Sequence, residues 1–335
     1  MKIDCIKIDC MNRTIGFLAA AAVTALAGAA GAEEDREGWP ADLTVGTASQ
    51  GGTYFVYGNG MASFIGESLG INASGEVTGG PVQNVTLVET GEHDVGLVTM
   101  GPALEAWNGV SELSPGLEHR SIRALFPMYQ TPFQVVALAS SGIESVSDLD
   151  GRRVSVGPAG GTPGTYWPRY FEALGLDVTV SFAGAADAAG QLQDGLIDAF
   201  AFAAGVPIAA FSQLAVEADV TMFGFSEEEL DVVLEAEPAM APFTIPTGTY
   251  PGHDYDQPTV ALWNFAIAHE DMPDSLAYEI TKLVLENNER MTQIHATAEE
   301  TLPEYWETNT FMPFHPGAVQ YYEEIGIEIP EELRG

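Results

Sequence analysis

Residues 43–69 read LTVGTASQGGTYFVYGNGMASFIGESL, in which a short apolar run is followed by a glycine-containing turn and a long stretch of helical periodicity. The pattern predicts a strand over 43–47 and a helix over 54–69. Residues 49–53 form the predicted turn between them, because they contain two consecutive glycines. A strand, a glycine turn and a helix in this order are typical of the opening of an α/β unit.

The same order continues along the chain and then starts a second time in its middle. Residues 81–90 are predicted to form a helix and 94–99 the next strand. In the second copy, a strand over 153–157 leads into the glycine-rich turn 158–165 and a helix over 167–174. Short strands that alternate with helices predict two α/β units, each a mostly parallel sheet flanked by helices.

Two extended apolar runs predict how the units are joined. Residues 123–139 are almost continuously apolar, with a break at Thr131-Pro132, and residues 259–268 form a second run. The runs flank the second unit, so the chain is predicted to cross into a second lobe and to return. The predicted fold is therefore a two-lobed α/β protein with crossing hinge strands. The predicted segments are 33–138 plus 256–335 for lobe I and 139–255 for lobe II.

The charge balance excludes two classes of partner. The 335 residues include 12 Lys and Arg against 48 Asp and Glu, which gives a formal net charge of −36. Nucleic acids and anionic lipid surfaces repel such a polyanion, so neither is expected as a partner. Lys282 is the one lysine after residue 32. Repulsion among so many acidic groups would destabilise the folded chain in dilute buffer, but at molar salt the screening length of charges falls to about 3 Å. The sequence predicts an exported protein of a salt-loving organism, with an ordinary acidic secreted protein as the alternative.

Residues 1–32 are predicted to be a secretory signal peptide that directs the protein to the periplasm. A basic start is followed by a small-residue apolar stretch over 15–30, and Ala30-Gly31-Ala32 precedes acidic residues. An uncleaved membrane anchor is the alternative, which the Ala- and Gly-rich composition disfavours. A start at Met11 is a second interpretation, in which residues 1–10 with both cysteines are an upstream mis-start.

Motifs for catalysis or metal binding are missing from the sequence. The six histidines show no metal-ligand spacing, and there is neither a Gly-x-Ser-x-Gly elbow nor a phosphate loop. Calcium at residues 253–256, which read HDYD, is disfavoured because too few oxygen ligands are defined. We therefore expect a protein that is not an enzyme and that has neither a cofactor nor a metal.

Two glycine-rich loops, 49–54 and 160–165, each join a predicted strand to a predicted helix. Backbone N–H groups and the positive dipole end at a helix start favour anions, and glycine lets a ligand approach the backbone. In open parallel sheets such loops lie where ligands bind. Two facing loops are therefore predicted to clamp one carboxylated solute. The alternative is that they are tight turns, with Ser49 and Thr53 as ordinary N-caps.

Four further residues are candidates for contact with the ligand. Gln83 and Asn84 fall in the first turn of a predicted helix, where their amides are expected to reach across a cleft. Tyr129 lies at the predicted crossing and Tyr250 in the loop after residue 246. A tyrosine suits a small-molecule cleft, although a place in the core is the alternative for both.

Seven motifs occur in order between about residue 43 and residue 326. They are 46–54 (GTASQGGTY), 83–84 (QN), 148–157 (DLDGRRVSVG), 195–200 (GLIDAF), 205–207 (GVP), 248–250 (GTY) and 315–318 (HPGA). Together they resemble the TAXI family of TRAP-transporter solute-binding proteins. The resemblance implies a type II periplasmic-binding-protein fold that holds a small carboxylate, such as glutamate or 2-oxoglutarate, between two lobes. It also implies delivery of this solute to ion-coupled TRAP membrane permease subunits.

The resemblance also assigns expected ligand contacts. With the candidates above, the predicted set is Ser49, Gly52, Thr53, Tyr54, Gln83, Asn84, Tyr129, Gly160, Gly161, Thr162, Thr165, Gly205 and Tyr250. The second loop departs from the Gly-Ser-Gly-Thr pattern of the family, since it reads GGTP over 160–163. The family serine is thus missing, so either Thr162 or Thr165 replaces it or the ligand differs.

Two other functions remain open, and both use the same two-lobed fold. One is a periplasmic enzyme, because a fold does not determine a function. The other is a binding protein of an ABC-type importer. In each case a monomer is expected.

Overall fold

The computed structural model describes residues 36–335, and the predicted signal peptide lies outside the described residues. The strands are β1 (Asp42–Gly46), β2 (Asn72–Glu76), β3 (Val95–Thr99), β4 (Ile122–Leu138), β5 (Arg153–Ser155), β6 (Thr179–Ser181), β7 (Ala199–Ala203), β8 (Val220–Phe223), β9 (Ala241–Ile245) and β10 (Gln257–His269). The helices are α1 (Thr53–Leu69), α2 (Pro81–Glu89), α3 (Met100–Trp107), α4 (Thr162–Leu174), α5 (Ala185–Gln193), α6 (Ala209–Glu217), α7 (Glu227–Ala236), α8 (Asp274–Glu286), α9 (Asn288–Ile294) and α10 (Pro316–Glu324). Across residues 36–335, none of the helices is long and apolar enough to span a bilayer.

A parallel sheet of β2, β1 and β3 builds the first lobe, which we call lobe I. Leu43 and Val45 on β1 are fully buried, as expected for alternate residues of a strand that faces a core. Val45 pairs with Val95 of β3. Ile65 of α1 and Ile280 of α8 belong to the same buried cluster, so helices from both ends of the described chain pack in lobe I.

A second parallel sheet of β6, β5 and β7 builds lobe II. Val154 of β5 pairs with Val180 of β6 on one side and with Ala199 of β7 on the other. Trp167 of α4 is fully buried, and its ring stacks on that of Phe225 with centroids 5.3 Å apart. The two lobes therefore have separate apolar cores, and the predicted two-lobed α/β architecture is confirmed.

Two long antiparallel strands, β4 and β10, cross between the lobes. β10 pairs with β3 of lobe I along its second half, and β4 pairs with β7 of lobe II along its second half. The first part of β4, from Ile122 to Pro132, pairs with Ala261–His269 of β10, on the edge of β10 opposite to β3. Strand β4 continues through Thr131 and Pro132, which interrupt the apolar run in the sequence. Pro132 faces Ala261 at the end of the β10 ladder, just before Phe133 begins the β7 ladder, so its missing N–H falls between two ladders.

Three local features differ from the sequence prediction. Helix α4 begins at Thr162, so the second half of the predicted turn 158–165 is the first helical turn. Strand β2 was not predicted because its sequence, NASGE, is polar and only half buried. Helix α3 begins with Met-Gly-Pro, and glycine and proline obscure its helical pattern.

Asn264 on β10 links the crossing strands to lobe I. It is fully buried, and its Nδ2 donates to the carbonyl oxygen of Tyr129 on β4 at 2.6 Å. Its Oδ1 accepts from the Tyr54 hydroxyl at 2.6 Å and from the Thr99 hydroxyl at 2.9 Å. One amide thus satisfies buried polar groups on three separate elements.

We expect Asn264→Ala to lower the free energy of unfolding by about 3 kcal/mol, because it leaves several buried donors and acceptors without a partner. Urea titration monitored by circular dichroism gives this difference. Asn72→Ala is the control, since Asn72 is exposed and bonds only across the surface to Asp42, and it should change stability by less than about 0.5 kcal/mol. Equal effects of the two substitutions would contradict the linking role of Asn264.

Candidate functional site

A cavity of about 40 Å³ lies between the lobes at the crossing strands. A cavity needs about 10–15 Å³ to hold one water, so this cavity has room for about three waters. The residues that line it are Ala48, Ser49, Gly52, Thr53, Tyr54, Gly80, Pro81 and Thr99 from lobe I, Thr131 from β4, and Pro158, Gly161, Thr162, Pro163, Phe202, Ala203 and Ala204 from lobe II.

The starts of three helices meet at this cavity. The N-cap residues of α1, α2 and α4 are Gly52, Gly80 and Gly161, and all three line the cavity. None of the three ends has a side-chain cap, because glycine has no side chain that accepts from the first-turn N–H groups. The first N–H groups of a helix have no intrahelical acceptor, and the helix dipole adds partial positive charge there. Thr53 and Thr162 therefore present backbone donors from opposite lobes.

The cavity wall carries no ionised side chain. Within the described part of the chain, its lining contains no Asp, Glu, Lys, Arg or His. Burial raises the pKa of the Tyr54 hydroxyl above its ordinary value, so this group stays protonated and neutral. Backbone donors and helix dipoles are thus the main source of positive potential at the wall, which favours a small anion.

A hydroxyl network closes one side of the cavity. The Thr99 hydroxyl lies 2.7 Å from that of Thr162 and 3.1 Å from that of Tyr54, and Asn264 accepts from both Thr99 and Tyr54. Thr99 is the last residue of β3 in lobe I, whereas Thr162 begins α4 in lobe II. The network therefore joins the lobes across the cavity.

Three backbone hydrogen bonds and one from a side-chain hydroxyl also join the lobes around the cavity, so the structure shows the lobes closed. These bonds run from Val82 N to Gly160 O (3.2 Å), from Ala186 N to Gln50 O (3.1 Å), from Ala210 N to Gly51 O (3.0 Å) and from the Thr53 hydroxyl to Gly205 O. Each pairs a loop or helix start of lobe I with one of lobe II. The glycine loops thus serve both as cavity wall and as contact surface between the lobes.

Outside the cavity, Arg169 of α4 bridges the lobes through charge. Its guanidinium donates to both carboxylate oxygens of Glu105 on α3, at 2.6 and 3.1 Å, and to Glu112 at 3.1 Å. The carboxylate of Glu237 in lobe II lies 3.5 Å away. The guanidinium is therefore held by acidic groups of both lobes.

Six of the predicted contact residues line the cavity: Ser49, Gly52, Thr53, Tyr54, Gly161 and Thr162. The structure thus brings the two glycine loops to one cavity. Ser49 is not the N-cap of α1, since Gly52 holds that position, and its hydroxyl accepts from Ala185 N of lobe II at 3.2 Å. The alternative in which Ser49 and Thr53 are ordinary N-caps is therefore wrong.

Three other predicted residues lie directly behind the wall. Gly160 accepts the bond from Val82, and Gly205 accepts the bond from Thr53. The hydroxyl of Thr165 donates to the carbonyl of Gly161 one turn back, at 3.2 Å. Of the two candidates for the missing family serine, Thr162 is thus the one whose residue lines the cavity.

The amides of Gln83 and Asn84 do not reach across the cleft. Asn84 is fully buried, and its Nδ2 donates to the carbonyls of Thr47 at 2.8 Å and Leu97 at 2.7 Å, so it joins the residue after β1 to the middle of β3. Gln83 accepts from Gly79 N at 2.6 Å within the same lobe. Both amides hold the backbone of lobe I in place.

Tyr129 and Tyr250 are core residues rather than cavity residues. Tyr129 is fully buried, with its ring 5.2 Å from that of Tyr57 between centroids. Tyr250 is 3% exposed, and its hydroxyl accepts from Ile208 N at 3.0 Å and from Gln134 Nε2 at 2.9 Å. Both tyrosines therefore lie in the core, which was the alternative to ligand contact in the sequence analysis.

Sequence reasoning missed several wall residues, chiefly Gly80, Pro81, Thr99, Thr131, Pro158 and Phe202. Thr99 and Phe202 lie at the carboxyl ends of β3 and β7. Ligands of open α/β sheets bind at those ends, so this rule offered a signal for both residues. In the range that the structure describes, no group of three or more His, Asp or Glu is arranged to hold a metal ion.

Comparison with known proteins gives one family and a set of similar folds. The family profile described as NMT1-like matches residues 45–326. The periplasmic binding protein BugD is 16% identical with a TM-score of 0.54, and the match covers 86% of this chain and 98% of that one. Malate-bound MatC of Rhodopseudomonas palustris is 16% identical with a TM-score of 0.52, and the match covers 86% of this chain and 97% of MatC. These similarities confirm the predicted type II periplasmic-binding-protein fold.

We expect Arg169→Gln to weaken closure of the lobes by about 1 kcal/mol, because it removes a partly exposed ion pair between them. Small-angle scattering should then show a larger radius of gyration than for the unmodified protein. Arg153→Gln is the matched control, since Arg153 pairs with Asp198 within lobe II, and it should leave the radius unchanged. An equal radius for Arg169→Gln and the unmodified protein would exclude Arg169 as a link that holds the lobes together.

Proposed function

The chain belongs to the NMT1-like family, and on that premise we propose that it is an extracytoplasmic solute-binding protein of a membrane transporter. It would hold a small carboxylate in the cavity between its lobes and deliver it to permease subunits in the membrane. The single observation that carries this proposal is the meeting of the glycine-capped starts of α1 and α4, from opposite lobes, at one uncharged cavity.

Two similar folds support a carboxylate as the ligand. MatC was solved with malate, and a further R. palustris protein was solved with adipate. The adipate-bound protein is 16% identical with a TM-score of 0.51, and covers 81% of this chain and 97% of that one. Both ligands are dicarboxylates, so these structures support recognition of a carboxylate group, which the backbone donors of this cavity favour, but not the number of such groups.

In the proposed mechanism, the lobes open and close about the crossing strands β4 and β10. The carboxylate first meets the N–H groups of one lobe, and closure adds those of the other. Thr53 would donate from lobe I and Thr162 from lobe II. The bound anion thereby favours the closed form over the open form, and the permease would recognise the closed form.

The finer assignment is a TAXI-type receptor of a TRAP transporter, with lobe boundaries at about residues 138 and 255 and a monomeric state in the periplasm. The ordered motifs over 46–318 support it. The net charge of −36 supports a salt-loving source, because self-repulsion of this size is screened at molar salt. The uncharged wall favours a binding role over an enzyme, since it offers no histidine or carboxylate for proton transfer.

Thermal unfolding in molar salt tests the proposed function. Ligand that binds only the folded state at 100 times its Kd stabilises the protein by about 2.7 kcal/mol. For a chain of this size we expect a rise in Tm of about 5 °C that saturates with concentration of the acid. A panel of mono- and dicarboxylates without any saturating shift would remove the proposal.

We expect Gly52→Ala to lower carboxylate affinity at least tenfold while leaving Tm of the ligand-free protein nearly unchanged. A β-carbon there would lie 3.4 Å from the Ser49 carbonyl and 3.7 Å from the Phe202 ring, so the fold accepts it but the cavity loses room. Gly190→Ala on α5 is the control, because its β-carbon would meet open space and affinity should not change. Calorimetric titration compares the two variants, and unaltered binding by Gly52→Ala would place the ligand elsewhere.

A further inference from the structure

We propose that the cavity selects a short monocarboxylate with an apolar tail, and that Phe202 sets the length of tail that fits. The inference rests on the proposed function, which leaves the kind of carboxylate open. It separates this protein from receptors for dicarboxylates and for amino acids.

The charge of the wall argues against an amino acid. An α-ammonium group needs a carboxylate or several free acceptors, and among residues 36–335 the lining of the cavity includes neither Asp nor Glu. The hydroxyls of Thr53, Thr99 and Thr162 are already engaged with protein partners. A buried ammonium would therefore lack compensation.

The same wall argues against a second carboxylate. In the part of the chain that the structure describes, the lining contains no Lys or Arg to neutralise it. The helix starts converge on one small volume, so they offer one region of positive potential rather than two separated ones. One negative charge matches this arrangement, whereas two would meet repulsion inside a protein of net charge −36.

The size of the cavity limits the tail. Its 40 Å³ corresponds to about three waters, so the closed form has room for only a few non-hydrogen atoms and favours the shortest acids. On the side of lobe II, much of the wall is apolar and includes the rings of Pro158 and Pro163 and the side chains of Phe202 and Ala203. These groups offer contact to methyl and methylene groups but no hydrogen bond.

Phe202 fills the space between the loops of the two lobes. It is 5% exposed at the end of β7. Its ring lies 3.7 Å from the position of a β-carbon on Gly52 and 2.7 Å from that of one on Gly157. Gly157 has φ +76°, so its conformation and its contact with the ring both exclude a side chain. The ring therefore packs closely against Gly157, which restricts its movement away from a longer tail.

Calorimetric titration of the full chain in molar salt tests the inference. The probes are acetate, propionate, pyruvate, butyrate and valerate against succinate, malate, 2-oxoglutarate and glutamate. We expect the best short monocarboxylate to bind at least 100-fold more tightly than any dicarboxylate or glutamate. Tight binding of a dicarboxylate or of glutamate, with weak binding of monocarboxylates, would overturn this inference and leave the proposed function standing. If no probe binds, both fall.

The role of Phe202 has its own test. Phe202→Leu should improve binding of valerate relative to propionate at least tenfold, because it deepens the cavity. Phe171→Leu is the matched control, since Phe171 is equally buried in the core of lobe II but does not line the cavity, and the preference should stay as in the unmodified protein. Phe202→Met serves as the second variant if Leu lowers the folded yield. An unchanged chain-length preference in the Phe202 variants would overturn the assignment.

Discussion

Unsatisfied N–H groups at the starts of α1 and α4 are the constraint on which the cavity depends. Glycine at each N-cap withholds the side-chain acceptor that Ser, Thr, Asp or Asn would supply, so the donors remain available to a ligand. It also lets the loops of the two lobes approach closely enough to hydrogen-bond each other. The same residues thus make the wall of the cavity and the contact between the lobes. In a chain with 12 basic residues against 48 acidic ones, this is a way to bind an anion without a basic side chain.

The crossing strands make this arrangement adjustable. α1 belongs to lobe I and α4 to lobe II, so an anion that uses both helix starts gains its full set of donors only in the closed form. β4 and β10 carry the connection between the lobes, and Asn264 holds them to Tyr54 and Thr99 at the edge of the cavity. Binding of an anion in the cavity is therefore coupled to the angle between the lobes, and the contacts of Asn264 connect the two.

Local sequence patterns predicted the two glycine loops, whereas the other residues of the cavity wall depend on how distant parts of the chain pack together. The order of strand, turn and helix around 43–69 depends on residues close in sequence, and the structure reproduces it with β1 and α1. Thr99 and Phe202 were missed because their position depends on which strands become neighbours. Asn84, Tyr129 and Tyr250 were predicted as contacts from residue type, place in the sequence and family resemblance, yet they are buried inside the lobes, where Asn84 and Tyr250 bond to the backbone. Residue type does not reveal which side of a core a polar side chain faces.

A crystal structure of the protein with its bound acid tests the central claim most directly. The claim is that main-chain donors of both lobes hold one carboxylate. It predicts carboxylate oxygens within about 3 Å of the backbone nitrogens of Thr53 and Thr162, with the lobes closed around them. A carboxylate bound to an arginine side chain, or bound outside the space between the glycine loops, would contradict it.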